Sequence, residues 1–217
     1  MRGKGITMDL VDYTMDERTN RLLMLMELGE IDLRTYMREN PNMNDLQILY
    51  FLQQMLMLLQ QIHQMGIIHT DIKPQNFMLY HGKLRIIDFG IAQHTISEEV
   101  TSINYFGVAG TVKYMAPEMI GTVMGLTRNK KVHRVSDLWA IGIIGYEMVT
   151  GQCPIPFEQH RAQGYNYSWF VNHEYTINWN IKCSKALRDI LQGLLEHDDT
   201  KRKSMFDIIN YPGFNPK

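Results

Sequence analysis

The spacing of apolar positions changes several times along this chain, and each change marks a predicted element. Residues 6–13 and 20–28 are short apolar runs around the polar stretch "MDERTN", a pattern that predicts a β-hairpin. Gly29 punctuates "MELGEIDL" just after it. Leu49, Leu52, Leu56, Leu59 and Ile62 then recur at threes and fours, which predicts a helix capped by Asp45 and ended by Gly66. "NFMLY" and "KLRII" are joined by His81-Gly82, a two-residue turn signal, and predict a second hairpin. Residues 91–115 carry no sustained period and read as a long surface loop, of the kind that is functional or mobile in a compact domain. "SDLWAIGIIGYEMV" is apolar all round and predicts a central buried helix. Residues 152–183, rich in aromatics, Asn and Gly, read as irregular with short helices. "SKALRDILQGLLEHD" is an amphipathic helix and "SMFDIINYPGF" a short final one. Two hairpins followed mostly by helices define an α+β chain, with no internal repeat and no low-complexity tract.

Composition narrows the picture. The 217 residues suffice for one large domain or two small ones, and 45% hydrophobic content can bury a sizeable core. The 22 basic and 23 acidic residues nearly cancel, so there is no footprint for nucleic acid or an anionic membrane. Cys153 and Cys183 show no metal-ligand spacing, which argues for a reducing compartment without a disulfide framework. "MRGKGITMDL" lacks the apolar run of a signal peptide. The apolar stretch 46–62 is broken by Gln47, Gln53, Gln54, Gln60 and Gln61, too polar to span a bilayer. Arg128, Lys130, Lys131, His133 and Arg134 read as a solvated basic insert.

Three motifs fall in order along the chain. "HTDIKPQN" starts at residue 69 and holds Asp71, Lys73 and Asn76. Asp88 of "DFG" follows 12 residues after Asn76, and "APE" at 116–118 closes the long loop. Each is weak alone, but the ordered set with a buried "SDLWAIG" helix behind it is specific. It resembles the large lobe of a eukaryotic protein kinase over essentially the whole chain. The implied fold is a mostly helical large lobe (residues 30–217, activation segment 88–118) with a small-lobe hairpin and hinge at 1–29.

Phosphoryl transfer is mostly positioning and charge stabilisation, which explains the residue types. On the resemblance, Asp71 orients the acceptor hydroxyl, Lys73 neutralises charge on the transferring phosphate, and Asn76 and Asp88 hold Mg²⁺ against ATP. Thr111 bridges Asp71 and Lys73, and Gly90 lets the backbone turn at the metal. Glu118 and Arg202 match a buried ion pair, Asp137 binds the catalytic-loop backbone, and His69 packs under Phe89. Lys73 at this place is similar to Ser/Thr kinases.

"LMELGEIDLRTYM", "HTDIKPQNFML", "IDFGIA" and "GTVKYM" together resemble the monopolar spindle checkpoint kinases, which are dual-specificity enzymes of the mitotic kinetochore. That resemblance makes Met26 the gatekeeper, Glu27 to Gly29 the adenine-binding hinge, and Met78 the floor under the base. It implies an intracellular protein, cytoplasmic or nuclear, at the spindle. Thr70 stands where many kinases carry the Arg that clamps a phosphorylated activation loop, so a phosphate there must find other cations. Thr101 and Ser102 fall where this family autophosphorylates.

A complete kinase also needs a glycine-rich lid, a strand Lys and a helix Glu, and these residues are absent from the 217. The chain starts at what would be the fourth strand. As given it reads as an incomplete, N-terminally truncated kinase of weak activity, or as a non-catalytic interaction module. The implied partners are a protein substrate and a kinase partner or second copy that supplies the missing groups.

Overall fold

The computed structural model describes residues 5–90, 92–94, 102–104, 112–126, 131–164 and 166–214. β1 (Leu10–Asp16) and β2 (Arg21–Met26) pair antiparallel, as the apolar runs around "MDERTN" predict. The first run is longer than its strand. Ile6 and Met8 leave the hairpin and are buried, and Ile86 donates its N–H to the carbonyl of Ile6 at 2.8 Å. Burial of these side chains in the main core outweighs extension of a two-stranded ladder.

β3 (Ile31–Asp32) leads into α1 (Leu33–Glu39), which Asp32 caps by accepting from the Thr35 N–H at 3.0 Å. α2 (Asp45–Gln64) is the long predicted helix, but its cap is Asn44 rather than Asp45. Asn44 and Gln47 form a reciprocal capping box, satisfying two end groups that Asp45 could not reach from inside the first turn. The Asp45 carboxylate instead accepts from the Ser184 N–H. Leu52, Leu56, Leu59 and Ile62 are fully buried, and Ile48, Phe51 and Met55 widen the apolar face beyond the predicted stripe.

β4 (Ile67–Ile68) follows, then β5 (Phe77–Tyr80) and β6 (Lys83–Ile86), with β3, β5 and β6 in one antiparallel sheet. The β5–β6 turn is the predicted one. His81 and Gly82 have φ of +50° and +73°, the left-handed pair that a tight hairpin needs. β7 (Gln93–His94) pairs with β4. β8 (Ser102–Asn104) and β9 (Lys131–His133) flank α3 (Pro117–Val123) in sequence and pair with each other. The basic stretch around β9 is therefore not simply solvated: His133 is half-buried and Arg134 opens the next helix. Arg128 and Lys130 lie outside the described residues.

α4 (Arg134–Thr150) is the central buried helix. It has no polar face because it is packed on several sides, against α2 and against α7 (Lys185–Leu194). Gly142 and Gly145 permit that approach. A Cβ on Gly142 would lie 2.8 Å from Leu195, and one on Gly145 would lie 2.7 Å from Leu191. α5 (Phe157–Ala162) and α6 (Ser168–Val171) are the short helices of the aromatic stretch, where Phe170 packs edge-on against Trp139 of α4. α8 (Met205–Ile209), capped by Ser204 and Asp207, is the last α-helix among the described residues, and a 3₁₀ turn at Pro212–Phe214 follows it. Cys153 and Cys183 are free, and burial pushes the Cys153 thiol up to about 11. Among the described residues, no helix is long and apolar enough to cross a membrane.

Candidate active site

The loop between β4 and β5 gathers three of the candidate residues. Lys73 Nζ lies 2.5 Å from Asp71 Oδ2. Asn76 Nδ2 donates to the Asp71 carbonyl at 2.9 Å and reaches Asp71 Oδ2 at 3.3 Å. Asn76 is buried in the 3₁₀ turn Pro74–Asn76, and its carbonyl accepts from the Ile87 N–H at 3.0 Å. That bond links the loop directly to the segment bearing Asp88. Asp88 itself is exposed, and its Oδ1 accepts from the Gly90 N–H at 2.7 Å. Gly90 is not among the residues of positive φ. Its benefit is space, because a Cβ there would lie 3.1 Å from Asp88 Oδ1.

Beneath the loop, Asp137 of α4 is buried and serves three donors. It accepts from the N–H of His69 at 2.9 Å, from the N–H of Thr70 at 2.9 Å, and lies 2.8 Å from His63 Nε2. Burial pushes the Asp137 carboxyl up, but His63, His69 and the backbone donors outweigh it and hold it below the usual range. These bonds hold Thr70 at φ +64°, a left-handed conformation costing about 1–3 kcal/mol for a non-glycine residue. His69 packs on Phe89 with ring centroids 5.2 Å apart. Burial lowers the His69 pKa despite the attraction of Asp137, Asp71 and Asp88, so the ring is neutral near pH 7. Motif reading identified Asp137 but missed His63, which is 74 positions away in sequence.

The hinge candidates lie together with β5. A Cβ on Gly29 would meet Met78 Cγ at 2.1 Å, so Met78 rests directly on the hinge backbone. Met26 ends β2, opposite Leu10. Glu27 departs from a purely backbone role. Its side chain pairs with Arg85 Nη1 at 2.8 Å and accepts from Tyr80 Oη at 3.1 Å, and its N–H donates to the Asp9 carbonyl at 3.0 Å. Thr111 lies outside the described residues.

The segment beyond "APE" is anchored by Glu118. Arg202 grips it with two hydrogen bonds, at 2.7 and 3.0 Å, and Ser136 donates a third at 2.8 Å. Motif reading did not single out Glu147. This buried carboxylate in α4 accepts from Tyr114 Oη at 3.0 Å, is ion-paired with Lys113, and lies 3.8 Å from Arg34. Its only sequence signal was an acid following the long apolar run 138–146 of that helix. A cavity of about 360 Å³ opens beside it, lined by Arg34, Lys113, Cys153 and Phe157 among others.

The family model for the protein kinase domain matches residues 8–214. The chain belongs to the protein kinase family. Its α+β architecture of small sheets and a helical body is that of the family. It is 33% identical over 207 residues to mouse "Dual specificity protein kinase TTK", covering 94% of this chain and 24% of that protein. It is 32% identical to "Probable serine/threonine-protein kinase mps1" of Dictyostelium discoideum, covering 93% of this chain and 21% of that protein. It is 30% identical to "Serine/threonine-protein kinase mph1" of Schizosaccharomyces pombe, covering 100% and 35%. The similarity is thus to kinases of the Mps1 type, and the chain spans about a fifth to a third of these relatives' length.

Proposed function

We propose that this kinase-family chain forms the site that transfers the γ-phosphoryl group of ATP to Ser and Thr hydroxyls of a protein, with Tyr as a further acceptor. The observation that carries the reading is the joint placement of Asp71, Lys73 and Asn76 in one hydrogen-bonded cluster, tied through Ile87 to Asp88. Asp71 would orient the acceptor hydroxyl and take its proton. Lys73, already against Asp71, would neutralise charge on the transferring group. Thr111 would complete the acceptor side.

The donor set suits Mg²⁺. With Nδ2 of Asn76 turned to Asp71, its amide oxygen remains the ligand atom, and Asp88 offers an exposed carboxylate; both are hard oxygens. The metal would supply charge neutralisation for the nucleotide phosphates. Met78 would support the adenine, Met26 would close its inner edge, and the Glu27–Gly29 backbone would bind its rim. Because the Glu27 N–H is committed to Asp9, recognition there falls to the Glu27 carbonyl and the Gly29 backbone. Similarity to Mps1-type kinases favours dual specificity and action at the mitotic spindle.

The 217 residues contain no glycine-rich lid and no strand Lys with its Glu, and loss of one preorganised group costs about 10²–10³ in rate. The 217-residue segment alone is therefore expected to turn over slowly. The test is Mg·ATP binding by calorimetry, with Asp88→Asn as control. Binding that is lost in the control supports the reading, and no binding at millimolar Mg·ATP overturns it for this chain.

A second reading, a protein-interaction module, is favoured by one observation. Val11, Tyr13, Met15, Leu23, Met24 and Leu25 of the β1–β2 hairpin are exposed, a run of apolar surface typical of protein contacts. Concentration-dependent self-association or partner binding without Mg·ATP affinity would select it.

A further inference from the structure

Beyond its first residue, the outer face of α2 carries no charge. Its 20 residues include no Lys, Arg or Glu, its Asp45 carboxylate accepts from the Ser184 N–H, and its His63 is buried on Asp137. The solvent face of a helix on a globular domain is ordinarily charged. Here Leu46, Tyr50 and Met57 stand exposed, at 70%, 50% and 51%, among glutamines. Their spacing of four and seven positions puts them on one face. Exposed Tyr and Met without neighbouring charge is the composition of a protein contact surface rather than of a solvated one.

A groove of about 770 Å³ runs beside this stripe. Tyr50, Met57 and Leu58 of α2 line it on one side, and Tyr80, Lys83 and Arg85 of the β5–β6 hairpin on the other. Two bonds fix the sides relative to each other. Tyr50 Oη donates to the Gly82 carbonyl at 3.1 Å, and Gln54 Oε1 accepts from the Leu84 N–H at 2.8 Å. The groove is therefore preformed, which lowers the ordering cost of binding.

Charge and length select the occupant. No Asp or Glu lines the groove. Arg85 is balanced by Glu27 at 2.8 Å, and His81 lies 3.8 Å from Glu30. Lys83 is exposed and has no carboxylate partner among the described residues. The groove thus combines apolar sides with one uncompensated cation, which suits an apolar ligand bearing an acid. From Leu46 to Gln61 the helix advances about 22 Å at 1.5 Å per residue. That is the span of about seven residues of extended chain, longer than a small molecule needs.

We propose that this groove docks an extended peptide segment of a protein partner, with apolar side chains seated against Tyr50, Met57 and Leu58 and an acidic side chain on Lys83. None of Asp71, Lys73, Asn76 and Asp88 lines it, so the inference is independent of the phosphoryl-transfer reading.

The experiment titrates the 217-residue chain into a fluorescein-labelled octapeptide of alternating leucine and glutamate and reads anisotropy. Two control peptides replace every glutamate by lysine, or every leucine by serine. The leucine–glutamate peptide should bind saturably and about tenfold or more tightly than either control. This comparison uses the native chain and needs no variant. Met57→Asp and Lys83→Glu change exposed side chains on different elements and should leave the Tm unchanged. Each should weaken the leucine–glutamate peptide about tenfold or more, and Lys83→Glu should shift the preference toward the leucine–lysine peptide. Equal affinity of the native chain and both variants overturns the proposal. So does equal binding of the leucine–lysine peptide, which would remove the role of Lys83, or of the serine–glutamate peptide, which would remove the role of the apolar sides. A dimer of the native chain in sedimentation that Met57→Asp abolishes would assign the groove to a second copy and overturn the peptide as its occupant.

Discussion

Arg202 holds Glu118 side-on across 84 positions of sequence, with Nη1 2.7 Å from Oε1 and Nη2 3.0 Å from Oε2. The same guanidinium donates to the carbonyls of Val135 and Glu196, so it ties α3, α4 and the turn before α8 together. Removing it leaves a largely buried carboxylate without its counter-charge. Arg202→Met should cost about 3–5 kcal/mol, read from denaturant unfolding. A loss under 1 kcal/mol, the value of a surface pair, would show that the anchor is unimportant.

The pair also sets an acid limit. Burial pushes the Glu118 carboxyl up, but the Arg202 charge and hydrogen bonds outweigh it and hold it below its ordinary 4.5. A depressed folded-state pKa stabilises above the unfolded value and loses that stability as pH falls through the folded value. Stability of the native chain should therefore drop as pH falls below 4.5. In Arg202→Met burial is opposed only by the Ser136 and backbone hydrogen bonds, so the carboxyl rises relative to the native chain and the loss of stability below pH 4.5 should be smaller. Parallel pH–stability curves for the two chains would contradict this.

The α4–α7 contact depends on hydrogen in place of a methyl group. At Gly142 a Cβ would meet three side-chain atoms of Leu194 and Leu195 at 2.8–2.9 Å. Alanine gains about 1 kcal/mol in helix propensity but must displace two packed leucines. Gly142→Ala should be destabilising overall by about 1–2 kcal/mol in thermal or denaturant melts. A stabilised variant would mean that α7 can shift away at little cost.

Gly29 and Met78 form a second such contact, placed at the hinge. Gly29→Ala should force Met78 off the hinge and weaken Mg·ATP binding about tenfold or more, since overpacking of this size costs 1–3 kcal/mol. Met78→Ala in the same chain should restore part of that loss. Independent, additive effects of the two substitutions on nucleotide affinity would show that the contact does not shape the adenine site.

The β1–β2 hairpin packs little of its own surface. Val11, Met24 and Leu25 are 58–60% exposed, whereas most of α4 is buried. A two-stranded ladder is marginally stable without a packed face. Amide hydrogens in 10–26 should exchange fast relative to those of α4, measured by exchange mass spectrometry. Equal protection would indicate that another surface covers the hairpin.

Short-range chemistry was legible in the sequence. Asp71, Lys73 and Asn76 lie within six positions, so their spacing alone brings them together, and His81-Gly82 announces the β5–β6 turn. The 3.6-residue period placed α2, and an unbroken apolar run placed α4 at the centre. Tertiary structure decided what distance along the chain conceals. The union of His63 with Asp137, the three partners of Glu147 and the side chain of Glu27 bound to Arg85 all depend on where elements cross. Periodicity reports which face of an element is apolar, because burial is an average over that face. It does not report which polar group lies across from a buried charge, because that pairing is set by helix crossings and strand register among residues far apart in sequence.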